Sequence, residues 1–451
     1  MSESALAKRP ATNGDWFEDW RPEDEEFWEH GGGKQVANRT LWVTTAALLL
    51  SFAVWFVVSA LIARLPKSGF DFSTTQLYWL VAMPGLAGGT LRLGHMFLTP
   101  IVGTRKVVSI STIVLLIPLV GWYFAVQDTS TPYWVFVLLA FAAGLGGGSF
   151  SSFMPSTTLF FPKRKLGTAL AVQAGIGNFG VSLVQFVTPL VIGFAVVGSS
   201  QTFKKTDAAP PKDIYLQNAL LLWTPLVLVV SVLAWVMLRS VPVKANMREQ
   251  LDIFNTHHTC AMTSLYMMTF GAFSGLAAAF PILIEKRFGG FENAPDPLAW
   301  AFLGPLVGSL MRVAAGPLTD RWGGAKLTQV AAVGMALSSF AVNFFVRPES
   351  MDDFAPFVIG MVGIFFFAGI GNASVFKQIP SLYDARRAAG VVGFTAAVAA
   401  YGPFIVSVLI SFAVSLDGSP GPFFCGFTAF CVFNMILNWW LYARKNAPNP
   451  C

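Results

Sequence analysis

Charge is what this chain has least of. Only 12% of its 451 residues are Asp, Glu, Lys or Arg, about half the share usual in a soluble domain. Carboxylates are scarcer still inside the long apolar segments, where Asp320, at the edge of one of them, is alone. That absence leaves a membrane carboxylate relay for protons without an obvious candidate. The four cysteines, Cys260, Cys425, Cys431 and Cys451, have no ligand spacing; they read as packing residues, and neither a metal nor a cofactor is expected. The tail up to about Asn38 is polar and acidic and lacks the basic start and apolar core of a signal peptide. The first membrane segment is therefore expected to direct insertion.

What is present is apolar length. Hydrophobic residues make up 54% of the chain, and segments long enough to cross about 30 Å of hydrocarbon as helices recur throughout. Twelve are expected, near residues 41–63, 76–100, 107–126, 133–159, 167–195, 216–239, 259–284, 298–320, 326–346, 355–376, 388–415 and 421–442. Runs such as Leu41 to Ala63 are continuously apolar and lack the alternation of a barrel strand. No room remains for a soluble catalytic domain, so an enzyme is not expected. The loops on one side hold fourteen Lys and Arg residues against eight on the other. This bias puts both termini in the cytoplasm of a multi-pass inner-membrane protein, with lipid rather than nucleic acid as its surroundings.

Segment 91–106 aligns without a gap on segment 311–326, matching Arg92 with Arg312, Thr99 with Thr319, Gly103 with Gly323 and Lys106 with Lys326. A second match pairs Ala143, Gly144, Gly146 and Pro155 with Ala368, Gly369, Gly371 and Pro380. The fold class expected is an all-α membrane protein of two pseudo-symmetric six-helix bundles, the pattern of a carrier rocking about a midplane site. The expected parts are a tail at 1–38, a first bundle at 39–239, a linker at 240–258, a second bundle at 259–442 and a tail at 443–451. Gly316 to Gly324 resembles the loop motif of the major facilitator superfamily. In the first half Pro100 stands where that motif has Asp320, which puts the usual ion-pair latch there in doubt.

Arg92 and Arg312 lie at equivalent places in the two halves, each deep in an apolar segment. A charge in hydrocarbon costs at least about 2.5 kcal/mol, and Arg92 is thirteen residues from Arg105, roughly 20 Å along a helix, too far to snorkel. The bland alternative is that each guanidinium only ties helices together through backbone carbonyls. The planar fork of donors suits an oxyanion, and two unneutralised arginines about 8 Å apart would repel by about 2 kcal/mol at an effective dielectric of 20. Without a carboxylate partner, the bound anion becomes the counter-ion, and obligatory exchange follows as an expectation.

Other candidates each have a plainer reading. His95 reads as a packing residue and Lys377 as a charge snorkelling to the interface, with an accessory site role as the alternative. Gly175 to Gly180 formally spells a dinucleotide fingerprint, but no strand precedes it. Asn178 and Asn372 need partners in hydrocarbon, from a neighbouring helix or from substrate. With 42 phenylalanines in the chain, the residues alone do not single out Phe150, Tyr266 or Phe270.

Taken together, Trp20 to Trp28, the Gly-Thr-Leu-Arg run ending at Arg92, Phe161-Pro162-Lys163-Arg164, Ala174 to Gly180 and Gly371 to Pro380 resemble the nitrate/nitrite porters of the major facilitator superfamily. The resemblance covers essentially the whole chain. It implies a site between the halves, with Arg92 and Arg312 on either side of a planar anion. It implies Phe52, Phe150 and Phe270 as aromatic walls, Tyr266 and Asn178 as polar contacts, and Gly175 and Thr395 as further lining. The short loop between the tenth and eleventh helices and the lack of membrane carboxylates resemble the nitrate/nitrite exchanger branch, and a monomer is expected. Competing readings are a nitrate/proton symporter, a phosphate or organophosphate exchanger, and a non-transporting anion sensor.

Overall fold

A backbone surrounded by hydrocarbon must satisfy its own N–H and C=O groups, so each apolar segment forms a helix. The computed structural model describes residues 12–205, 210–242, 253–254, 256–383 and 385–451. The start of the N-terminal tail and most of the expected linker lie outside the described residues. Six helices form the first half: α1 (Gly33–Ile62), α2 (Thr74–Val102), α3 (Thr104–Ala125), α4 (Tyr133–Thr158), α5 (Lys163–Val191) and α6 (Asn218–Met237). The second half has α7 (His257–Phe288), α8 (Pro297–Trp322), α9 (Gly324–Phe345), α10 (Met351–Leu382), α11 (Gly390–Asp417) and α12 (Gly421–Ala443).

Among the described residues, 11 helices are long and apolar enough to cross a membrane. The remaining crossing helix is α2, whose 29 residues carry Arg92 and His95 and are interrupted by Pro84 and Pro100. Arg92, His95 and Thr99 are its buried polar residues.

The duplication is visible in the backbone. Gly103 and Gly323 end α2 and α8 with φ of 86° and 89°, a region that favours glycine. Gly103 N–H donates to Thr99 O at 3.0 Å, and Gly323 N–H donates to Thr319 O at 3.1 Å. Packing repeats as well: a Cβ on Gly146 of α4 would overlap the Ser51 carbonyl of α1, and one on Gly371 of α10 would overlap the Thr269 methyl of α7. The halves meet along α2 with α11, α5 with α8 and α1 with α7.

Three features differ from the expected boundaries. Helix α1 begins at Gly33, inside the stretch read as tail, because its first turns carry polar residues at the membrane edge that hydropathy does not recognise. Helix α11 turns at Ala400–Tyr401, just before Pro403, and α7 contains a π-helical turn at Met267–Gly271. Cys260 and Cys425 are exposed and Cys431 is buried, so the packing role expected of all four fits Cys431 best.

The two ends of the bundle are closed differently. At the end away from the termini, Arg64 donates to Asp296 at 2.5 and 2.6 Å, and Lys67 pairs with Glu285 at 2.6 Å. Both pairs join one half to the other. Gln185 Nε2 adds a 2.8 Å bond to Ala277 O, and Ser182 Oγ a 2.9 Å bond to Phe302 O.

Gly146→Ala should lower the apparent melting temperature of the detergent-solubilised protein, because overpacking a close helix contact costs about 1–3 kcal/mol. Gly426→Ala, where an added Cβ meets nothing within 4 Å, should leave it unchanged or raise it. Equal effects at the two positions would contradict this account of the packing.

Candidate functional site

Arg92 is fully buried, and its donors reach into both halves. Its Nε donates to Gly147 O on α4 at 2.8 Å, and its Nη1 donates to Ala396 O on α11 at 2.7 Å. Its Nη2 has no hydrogen-bond partner among the described residues. Arg312, 5% exposed, likewise leaves Nη1 without one. The carbonyl bonds of Arg92 match the bland reading in part, but the remaining donors are unspent.

Aromatic rings form the walls. The Arg92 guanidinium carbon lies 4.6 Å from the Phe150 ring centroid, 5.3 Å from Phe270 and 5.5 Å from Trp55. That of Arg312 lies 5.6 Å from Phe376 and 5.9 Å from Phe270. Phe270 therefore stands beside both arginines, and their separation cannot exceed the sum of their distances to that ring. Cation–π attraction, about 2 kcal/mol or more for a desolvated pair, offsets part of the desolvation of each charge and does not neutralise it.

The π-helical turn of α7 carries Phe270, and such turns recur at functional sites. Tyr266, four residues earlier, stacks on Phe270 at 5.4 Å with planes 6° apart, and on Phe376 at 4.3 Å. Its buried hydroxyl has no hydrogen-bond partner among the described residues. Phe150 stacks on Phe270 at 6.5 Å, and Phe52 meets the edge of Phe150 at 6.2 Å.

Asn178 on α5 and Asn372 on α10 are fully buried, and neither amide has a hydrogen-bond partner among the described residues. The helix-to-helix bond considered for them is not formed. Each buried polar group left unpaired costs about 1–3 kcal/mol, and more if charged. The orphaned groups of these residues are two guanidinium nitrogens, a phenol hydroxyl and both the Nδ2 and Oδ1 of the two amides, with donors outnumbering acceptors. Such a set suits a ligand that only accepts hydrogen bonds and carries negative charge.

The other expected residues fall nearby or outside. Gly175 packs against Val313, the neighbour of Arg312, and has no room for a Cβ. Thr395 shares a 3.2 Å hydroxyl contact with Thr263 and precedes Ala396, whose carbonyl holds Arg92. His95 bonds Ser152 Oγ through Nδ1 at 2.9 Å, in keeping with a packing residue. Lys377 is half exposed and paired with Asp320, so it is not gathered with the arginines.

Sequence reasoning did not single out Trp55, Phe376 or the two carbonyls that hold Arg92. Trp55 lies one turn from Phe52 on the same face of α1, and Phe376 lies within the Gly371 to Pro380 segment, but abundant aromatics hid both.

The family profile of the Major Facilitator Superfamily matches residues 43–407. A Thermus thermophilus protein named "Probable nitrate/nitrite antiporter NarK2" is 59% identical over 98% of this chain and 99% of its own. The Salmonella typhimurium protein named "Nitrate/nitrite transporter NarU" is 35% identical over 95% and 96%, and its Escherichia coli namesake 33% over the same shares. The chain belongs to the nitrate/nitrite porter family of the major facilitator superfamily. It is a multi-pass membrane protein, and in this porter the paired arginines sit where α2 and α8 approach the opposite half.

Two like charges facing one ring repel, so removing one should help the anion-free fold. Arg312→Met should raise the apparent melting temperature of the porter in gluconate buffer, by the equivalent of about 1–2 kcal/mol. A lower melting temperature would mean that the Arg312 charge is already compensated by the protein.

Proposed function

We propose that this porter exchanges nitrate for nitrite across the inner membrane by alternating access, with Arg92 and Arg312 as the two cationic walls of a single anion site. The observation that carries this reading is the set of unpaired donors: Arg92 Nη2, Arg312 Nη1, the Tyr266 hydroxyl and the amides of Asn178 and Asn372. The names of its relatives supply the identity of the anion, and the aromatic walls favour a planar, weakly hydrated one over a tetrahedral, doubly charged one.

Binding would do two things. The anion would accept from the free guanidinium nitrogens, and its charge would cancel the repulsion between them. Arg92 already bonds a carbonyl of the opposite half through Nη1, so a ligand shared with Arg312 would draw the halves together around itself. Reorientation then requires breaking the Arg64–Asp296 and Lys67–Glu285 pairs while the other end closes. An unloaded site would have to close around two bare cations, at about 2 kcal/mol in a medium of effective dielectric 20; a loaded one would not. Exchange follows, because the carrier changes sides readily only with an anion aboard. The excess of basic residues in the loops beside the termini favours a cytoplasmic location for both.

Proteoliposomes loaded with nitrite, chloride, phosphate or impermeant buffer decide the matter, with external nitrate uptake followed at fixed pH. Rapid uptake is expected only with nitrite inside. Equal uptake into vesicles without a counter-anion, or alkalinisation of the medium accompanying uptake, would replace exchange with uniport or proton symport.

A further inference from the structure

The loop motif of the second half keeps its carboxylate, Asp320, which pairs with Lys377. In the first half the equivalent position is Pro100, and no carboxylate from that loop is available. Arg105 at the start of α3 instead pairs with Asp15 of the N-terminal tail. It is held from two further directions: its Nε donates to Trp235 O of α6 at 2.6 Å, and its guanidinium lies 4.6 Å from the Trp235 ring centroid.

The tail is fastened along its length. Thr12–Asn13 and Trp16–Phe17 form a small antiparallel hairpin. Ser240, just past α6, donates its N–H to Asp15 O at 2.8 Å, and Phe17 N–H donates to Ser240 O at 2.9 Å. The Trp16 ring closes over Gly103, where a Cβ would strike it and the Ser240 side chain. Phe17 and Trp28 are buried against Phe160 and Phe161, which precede α5. Glu23 accepts from Lys163 N–H at 2.9 Å, Glu25 pairs with Arg164 at 3.0 Å, and Glu29 reaches Lys165 at 3.4 Å. Lys34, with Lys165, holds the Glu29 carboxyl below its usual range.

We propose that residues 15–29 are a permanent strap that supplies, through Asp15, the carboxylate missing from the first-half loop motif. The strap ties the α2–α3 turn, the α4–α5 turn and the end of α6 into one rigid body. Every contact just named is with the first half, so the strap stiffens that half without bridging to the second. It also fixes Ser240, the residue at which the chain leaves α6 toward the second half. The half-buried Asp15–Arg105 pair is the part that matters most; Glu25, whose side chain is 76% exposed, contributes little, as exposed ion pairs do.

The test uses the full-length purified protein with Asp15→Asn, Arg105→Gln and the double variant, and Glu25→Gln as reference. Each single change at the Asp15–Arg105 pair should lower the melting temperature, and the double variant should fall no further than the lower single. Amide hydrogen exchange should speed up by about fivefold or more around residues 100–106 and 160–166, the loss expected when one half-buried charged contact goes, with residues 320–326 unaffected. Glu25→Gln should match the parent. Additive losses in the double variant, an unchanged melting temperature in Asp15→Asn, or equal loosening of both halves would overturn the strap.

Discussion

Two guanidinium groups without a carboxylate, facing one phenylalanine ring from opposite halves of the molecule, are the constraint on which the rest of the structure depends. Both are buried. Arg92 spends two donors on backbone carbonyls, Gly147 in its own half and Ala396 in the other, and still has a nitrogen to spare. The helices around the pair are arranged to tolerate charge: backbone carbonyls at Gly147 and Ala396, and aromatic faces from α1, α4, α7 and α10. None of these supplies a negative charge; under the proposed function the bound anion does.

The internal duplication turns that constraint into a mechanism. Equivalent glycine turns at Gly103 and Gly323, and equivalent close contacts at Gly146 and Gly371, show two halves built on one plan, each contributing one arginine. The halves are not identical at their edges. Ion pairs between them cluster at the end away from the termini, and the first half borrows its loop carboxylate from the tail whereas the second keeps its own at Asp320. The alternating access proposed for this porter needs each half to move as a unit, and both arrangements would serve that end by different sequence means.

Much of this was legible in the sequence. Continuous apolar runs located the helices, and the gapless match of 91–106 with 311–326 placed the arginines at equivalent positions. The departures have physical causes. Polar first turns concealed the start of α1, since hydropathy does not register a helix that begins outside the hydrocarbon. The π-helical turn that carries Phe270 ends at Gly271, whose carbonyl Gly402 approaches closely, a contact no local pattern announces. Trp55 and Phe376 were hidden by the abundance of aromatics, and the unpaired state of Asn178 and Asn372 is a property of the assembled site alone. The role of Asp15 depends on Arg105, ninety residues away in the chain.

Calorimetric titration of nitrate into the purified porter and into Arg92→Lys and Arg312→Lys tests the central claim most directly. Lysine keeps the charge but loses the planar fork, so the account predicts one nitrate per parent molecule and affinity weakened by about tenfold or more, the equivalent of 1.4 kcal/mol, in each variant. Parent-like nitrate binding in either variant would contradict it.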